Sequence, residues 1–366
     1  MKKELQIKNV CQKGSSNLKQ KDVEGTNGVY PVFGASGKIG NIGFYQQENE
    51  YIAIVKDGSG IGRVAFMPPK SSVIGTMQYI LPKEGYDIKY IGYCLQSLDL
   101  SAYKQGAAIP HIYFRDYGER NVRVETDKKA QQQIVKYLDT TFEKIDRIKE
   151  KAEKKIEDAK GLFQAALNEK MKVIECVNPQ KIGDVFLTYS GGTPLKQYKE
   201  YYENGNIPWL NSGEVSRKYI SKTDKFITKK GLDNSSAKYY PIDTVVVAMY
   251  GATAAQAGIL KIRTTSNQAV CGILPHKNFV PEFVYYWFRH KQKYLASQAQ
   301  GGAQPNISQI KIKNILIPTI RYKDQQQIVT DLDALNEKTN AIEHSCRQII
   351  SECDNLKQAI LKQVFE

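Results

Sequence analysis

Two sets of loop residues carry the groups of this chain that could act on a polyanion. In the first half, Lys38, Lys56, Asp57, Ser59 and Arg63 gather around the turn Gly58-Ser59-Gly60, and Lys104 and His111 flank Gly106-Ala107-Ala108-Ile109-Pro110. In the second half, Lys196, Gln197, Tyr198 and Lys199 follow Gly192-Thr193-Pro194. Trp209, Asn211 and Ser212 come next, with Tyr250, Thr253, Gln256 and Gln304 further along. Lysine and arginine neutralise phosphates, whereas amides, hydroxyls and arginine hydrogen-bond to base edges. Trp209, directly after Pro208, suits either a core position or a platform on which a base stacks.

Other chemistries lack their parts. No Gly-x-x-x-x-Gly-Lys-Ser/Thr loop is present, so no ATPase site is expected. Asn178-Pro179-Gln180-Lys181 is a partial likeness of an adenine-methyltransferase motif, but it lacks the second proline and the aromatic that would hold a flipped base. Gly58-Ser59-Gly60-Ile61-Gly62 looks like a dinucleotide loop, yet Arg63-Val64-Ala65-Phe66 continues as a strand and not as a helix. The six cysteines form no Cys-x-x-Cys pair and only four histidines accompany them, which argues against a zinc centre. No catalytic, cofactor-binding or metal-ligating residue is expected in this chain.

The elements that must position these loops come in two copies. Lys129–Leu167 matches Lys323–Leu361 at one constant offset, anchored by Gln131-Gln132-Gln133-Ile134-Val135 and Gln325-Gln326-Gln327-Ile328-Val329. More loosely, Gly106–Ile112 aligns with Gly301–Ile307, and Tyr51–Val55 followed by Gly58 aligns with Thr244–Ala248 followed by Gly251. Short strands are expected at Tyr51–Val55, Gly62–Met67 and Met77–Leu81, and again at Thr244–Ala248, Gly258–Ile262 and Ala269–Leu274. One helix follows each set, over Ile88–Gln105 and Pro281–Ala299. A shared scaffold with differing loops suits two binding modules with different targets.

Two proline-free stretches carry a sustained heptad period. The expected helix–helix seam is Ile134, Leu138, Ile145, Ile148, Ala152, Ala159, Leu162 and Ala166 on one helix. On the other it is Ile328, Leu332, Leu335, Ile342, Cys346, Ile349, Cys353, Leu356 and Ile360. Each helix would be roughly 60 Å long and could not stand alone in water on one apolar stripe, so the two are expected to pair antiparallel. The fold class is therefore α+β, with two mixed sheet-and-helix domains, two long antiparallel coiled-coil helices and a pseudo-two-fold internal repeat. The expected boundaries are 1–125 and 174–321 for the domains, with spacer helices at 126–173 and 322–366.

With 366 residues and a net charge of +14, the chain is long enough for two cores and basic enough to favour nucleic acid as a partner. Its longest apolar runs are too short to cross a bilayer and Met1-Lys2-Lys3-Glu4-Leu5 turns polar at once, so a cytoplasmic protein without membrane contact is expected.

Taken in order, these features resemble the specificity subunit of Type I restriction-modification enzymes over essentially the whole chain. The signature is Ile317-Pro318 running into Asp324-Gln325-Gln326-Gln327-Ile328-Val329, together with the opening Ile182-Gly183-Asp184-Val185 and Ser190-Gly191-Gly192-Thr193-Pro194. The first copy departs from it with Val124 in place of the proline, Ala130 before the glutamines and Ile7-Lys8-Asn9-Val10 at the opening. The resemblance implies a non-catalytic subunit whose two target-recognition domains read the halves of a gapped, asymmetric site on double-stranded DNA. It also implies two methyltransferase subunits that bind S-adenosylmethionine and modify adenine. Restriction subunits that translocate with ATP and magnesium would join them, so those cofactors belong to partner subunits. Half-sites about one helical turn apart, ~34 Å, would suit paired helices acting as a ruler.

Two other readings stay open on sequence. A stand-alone regulator would bind one gapped site tightly by itself, whereas a specificity subunit alone would bind weakly and salt-sensitively. A coiled-coil assembly protein with an incidental basic surface would show no sequence preference.

Overall fold

The computed structural model describes residues 2–106, 110–298 and 306–366. Two compact units emerge, Met1–Lys154 with Ser345–Glu366 and Lys155–His344. Each holds one α+β domain and a segment of each long helix.

In the first unit, Tyr51–Val55 is buried at every residue because it is covered on both faces. It lies in an antiparallel sheet in the order Cys11–Ser15, Met77–Pro82, Tyr51–Val55, Val64–Met67. Ile52, Ile54 and Ile80 turn to one side and pack with Tyr90, Ile91 and Cys94 of the domain helix Ile88–Gln96. Tyr51, Ala53, Val55 and Tyr79 turn to the other and pack with Val73. A small sheet in the order Gly37–Ile42, Tyr30–Gly34, Ser72–Val73 supplies that second layer. The domain helix stops at Gln96, short of the expected Gln105, because polar side chains cap it and start a new turn. Ser97 Oγ donates to the Cys94 carbonyl (2.7 Å), and Asp99 accepts from the Ser101 N–H (3.1 Å) to begin the 3-10 turn Leu100–Tyr103.

The second unit repeats this plan. Its main sheet runs Thr188–Ser190, Val270–Ile273, Val245–Ala248, Ala257–Leu260, Tyr219–Ile220, and its small sheet Phe226–Ile227, Ile207–Leu210, Thr265–Ser266. Val245 and Val247 pack with Phe283 and Trp287 of the domain helix Pro281–Ser297, while Val246 and Ala248 face Leu210 and Tyr240. Both openings, Ile7–Val10 and Ile182–Val185, form a single helical turn despite their unequal sequence match. A two-stranded ribbon leads into each long helix: Lys2–Gln6 with Asn121–Glu125, and Pro179–Lys181 with Leu316–Pro318. Val124, in place of proline, keeps an N–H for a ladder that is longer in the first copy.

The long helices span Lys128–Ile174 and Tyr322–Phe365. They run antiparallel within each unit. In the first, Asp146 pairs with Lys357 (2.6 Å) and Lys149 with Asp354 (2.8 Å). In the second, Lys160 pairs with Glu343 (3.4 Å) and Lys170 with Asp331 (2.7 Å). These exposed pairs report register more than they add stability.

The seam itself needs correction. Leu138, Ile145, Ala152, Ala159, Leu332, Cys346 and Cys353 are buried, and Ile134, Ala166, Ile328, Leu335, Ile342 and Ile360 are half-buried. Ile148, Leu162, Ile349 and Leu356 are instead 51%, 57%, 38% and 50% exposed. Their places in the buried stripe go to Phe142, Ile156 and Phe163 on the first helix. The cause is the domain beside each helix, which draws the stripe toward itself: Phe142 packs edge-on against Tyr93 and Phe163 tilts against Tyr286. A heptad pattern alone does not say on which flank of its central row a helix meets a third element.

Burial pushes the thiols of Cys11, Cys94 and Cys271 up to about 12. Cys346 and Cys353 are buried as well, whereas Cys176 is exposed. At pH 8 a disulfide reagent should therefore modify Cys176 promptly and the other five thiols only after denaturant is added. A second fast thiol would contradict this packing. Among the described residues, no helix is long and apolar enough to cross a membrane.

Candidate nucleic-acid interface

In the first domain, the turn after Tyr51–Val55 is built against the segment that ends at Ile112. The Gly58 N–H donates to the Pro110 carbonyl (3.0 Å) and the Ile112 N–H to the Lys56 carbonyl (3.0 Å). This brings His111 Nδ1 against the Asp57 carboxylate, whose other oxygen lies 3.4 Å from Lys56. Positive φ at Gly58, Gly60 and Gly62 lets the turn fold this tightly. The Arg63 guanidinium reaches across to the Ala35 carbonyl, in the hairpin that also carries Lys38. Lys38, Ser59, Arg63 and Lys104 are exposed, while Lys56, Asp57 and His111 are half-buried. The first seven candidates thus lie on connected loops of one rim.

The second domain builds the corresponding rim from the same backbone bonds. Ile307 N–H donates to the Met249 carbonyl (2.9 Å), and Tyr250 bridges Asn306. Met249 and Tyr250 thus stand where the first domain has Lys56 and Asp57, and Asn306 stands in the place of His111. Thr253 Oγ1 donates to the Ser212 carbonyl (2.8 Å), and Asn267 Nδ2 to Asn211 Oδ1 (3.4 Å). Thr193 is bonded to Gln268, which joins the Gly-Gly-Thr-Pro loop to the same surface. Gly191 is needed there because a Cβ would lie 2.2 Å from the Ser266 carbonyl oxygen. Beyond Pro194, Lys196, Gln197, Tyr198 and Lys199 are all exposed, and Gln256 is half-buried. Gln304 lies outside the described residues, as do the middle of the first glycine-containing segment, 107–109, and most of its counterpart, 301–305.

Trp209 is not a stacking platform. It is 4% exposed, and its indole N–H donates to the Gly192 carbonyl (3.0 Å), with Tyr202 edge-on to its ring. Alternation along Ile207–Leu210 turns it inward, where it supports the Gly-Gly-Thr-Pro loop from below.

The residues that fix each domain helix to its long helix carry no signal beyond the repeat. Gln131 is fully buried: its Oε1 accepts from the Asp87 N–H (2.7 Å), and its Nε2 donates to the carbonyls of Gly85 (3.2 Å) and Glu125 (2.9 Å). Gln325 does the same with the Val280 N–H (2.9 Å) and the carbonyls of Asn278 (2.9 Å) and Ile320 (3.0 Å). Asp139 takes a hydrogen bond from the Tyr93 hydroxyl and Asp333 one from Tyr286. Burial and the neighbouring carboxylate push both phenols above the usual tyrosine range. The matched pairs Gln131/Gln325 and Asp139/Asp333 are thus one clamp made twice.

Comparison with known proteins agrees with this layout. Residues 2–158 and 175–352 match the family described as Type I restriction modification DNA specificity domain. The Type I restriction enzyme EcoR124I/EcoR124II specificity subunit of Escherichia coli is 28% identical over 166 residues, 44% of this chain. The MjaIX specificity subunit of Methanocaldococcus jannaschii is 29% identical over 163 residues, 43% of this chain. The matched regions span 41% and 37% of the length of these two relatives. Among solved structures, one from a study of complex assembly and conformational transition of the type I R-M system superposes with a TM-score of 0.75 at 14% identity, covering 99% of this chain and 97% of the other. The HsdS subunit of Thermoanaerobacter tengcongensis gives 0.51 at 14% identity, covering 99% and 96%. Those two likenesses concern the fold; the family match covers most of the sequence, and this chain belongs to the Type I restriction modification DNA specificity domain family.

Proposed function

We propose that this chain is the non-catalytic reader of a Type I restriction-modification complex, with each domain reading one half of a gapped, two-part sequence in double-stranded DNA. The observation that carries this is the pair of rims. One set of backbone bonds presents Asp57 and His111 in the first domain and Tyr250 and Asn306 in the second. A fixed frame with unlike side chains is what reading two unlike half-sites requires.

Partners would use the helices. In the first unit the apolar side chains of Ile148, Ile349 and Leu356 are exposed, and in the second that of Leu162. Each unit also has a cleft between its domain helix and its helix pair. The one in the second unit, about 790 Å³, is lined by Gln164, Arg289 and Lys293; the one in the first, about 570 Å³, by Gln358, Gln96 and Lys362. Gln164 and Gln358 are matched residues of the repeat, so the clefts are themselves repeated. A repeated surface suits a partner bound in two copies. In this reading two methyltransferase subunits bring S-adenosylmethionine and modify an adenine in each half. Restriction subunits bring ATP- and magnesium-dependent translocation, and the assembly works in the cytoplasm.

The test is co-expression with an adenine methyltransferase partner, followed by genome-wide mapping of methylated adenines. A two-part motif with a fixed gap is expected. A complex that forms yet modifies no such motif would sink the proposal.

A further inference from the structure

Lys218 is a lysine held inside the protein, its side chain only 16% exposed. It sits at the end of the loop that begins with Asn211 and Ser212 on the second rim. Its ammonium pairs with Asp333 of the long helix Tyr322–Phe365 and lies 3.4 Å from the Tyr286 hydroxyl. The rings of Tyr286, Tyr219 and Tyr285 surround it at 4.8, 5.0 and 5.9 Å. An ammonium enclosed by aromatic faces and a carboxylate is strongly located, because each partner gains as water is excluded.

The rest of the loop is tied to its own domain. Ser212 is held by Thr253 (2.8 Å), Glu214 accepts from the Asn211 and Asp224 N–H groups (both 2.8 Å), and the Lys218 carbonyl accepts from the Ile259 N–H (2.7 Å). Lys218 therefore carries a direct tie from a reading loop to the long helix. The first unit is built differently. There the equivalent carboxylate, Asp139, takes its lysine from the domain helix, where Lys89 lies 2.7 Å away.

We propose that Lys218, caged by Tyr219, Tyr285 and Tyr286 on Asp333, is a positioning residue for sequence discrimination. It sets the Asn211–Ser212 loop against the long helix, so that the second half-site is read in a geometry the helix controls. This rests on the two-half-site reading above. Without that tie the loop, still bonded to its own domain, can shift with it against the long helix to accommodate a wrong base, so errors are tolerated in one half only.

The experiment uses the full chain with its methyltransferase partner and compares methylation at sites carrying one mismatch in either half. Tyr250→Ala identifies which half the second domain reads. Lys218→Met and Asp333→Asn should each raise methylation of sites mismatched in that half by about tenfold, part of what a single mismatch normally forfeits. Mismatches in the other half should be rejected as in the wild type. Lys218→Arg, which keeps a cation in the cage, should restore discrimination, and Asp139→Asn should leave discrimination in the first domain's half unchanged. Cys271 should stay protected from thiol reagent in both altered chains. Unchanged discrimination, equal loosening of both halves, or exposure of Cys271 in both variants would overturn the role assigned to Lys218. A wild-type complex that methylates no two-part motif would overturn the two-half-site reading, and this proposal with it.

Discussion

Replacing Gln325 with leucine should destabilise the second unit by about 2–4 kcal/mol, whereas the same change at the adjacent Gln326 should cost less than about 0.5 kcal/mol. The two glutamines are neighbours in one triplet, but Gln325 is fully buried and Gln326 is exposed. Leucine is close to glutamine in size, so little cavity forms and the loss reports the polar contacts. Those are the bonds to the Val280 N–H and to the Asn278 and Ile320 carbonyls. Without the amide, the buried Val280 N–H is left without its acceptor and two part-buried carbonyls lose their donor, and such an orphaned N–H costs more than the bond contributes when intact. Glutamate would not rescue the site, because a carboxylate can accept from Val280 but faces two carbonyl oxygens with no proton to offer. Urea unfolding, followed by reactivity of the buried Cys271, measures the loss within the second unit. Gln131→Leu should do the same to the first unit, followed through Cys94. Equal midpoints for the Gln325 and Gln326 variants would show that the clamp carries no stability.

That contrast shows what could and could not be read from the residues. The triplets Gln131–Gln133 and Gln325–Gln327 flagged the repeat and the helix starts, because identical residues at a constant offset survive any fold. They could not say which glutamine is buried, since that depends on where each ribbon and each domain helix places its carbonyls. The strands were legible where both faces are covered, as at Tyr51–Val55 and Val245–Ala248, because continuous β-branched and aromatic runs have few other uses. The hydrophobic period carries the domain helix past Gln96, since Ser97 and Asp99 act through local hydrogen bonds that such a period does not register. The heptad places Ile148 and Leu162 in the seam because it offers two possible flanks, and only the docked domain selects one. Trp209 illustrates the reverse difficulty: its neighbours suggested a loop, but alternation along a four-residue strand turns it into the core. Lys218 gave no signal at all, because Tyr219, Tyr285, Tyr286 and Asp333 come together only in the folded chain.

Tyr250→Ala and His111→Ala should each impair one half of the recognition sequence and spare the other. Both side chains project from backbone fixed by the same bonds, Ile307 to Met249 in one domain and Ile112 to Lys56 in the other, so each truncation should leave that backbone in place, while His111→Ala also removes the partner of the Asp57 carboxylate. What is lost is a contact, and one good contact to a base edge is worth about 1–3 kcal/mol, or roughly 5- to 150-fold in discrimination. Contacts to phosphate would behave differently. Lys196→Ala or Lys199→Ala should weaken binding across all sequences and make the salt dependence shallower, because a lysine on the backbone releases counterions whatever the base. The two classes can be separated in one experiment: binding or methylation is measured across a library randomised in each half, at two salt concentrations. If Tyr250→Ala and His111→Ala each change the preference in both halves together, the rims do not read independently. If either acts only through overall affinity, like the lysines, it touches the backbone of the duplex and not its bases.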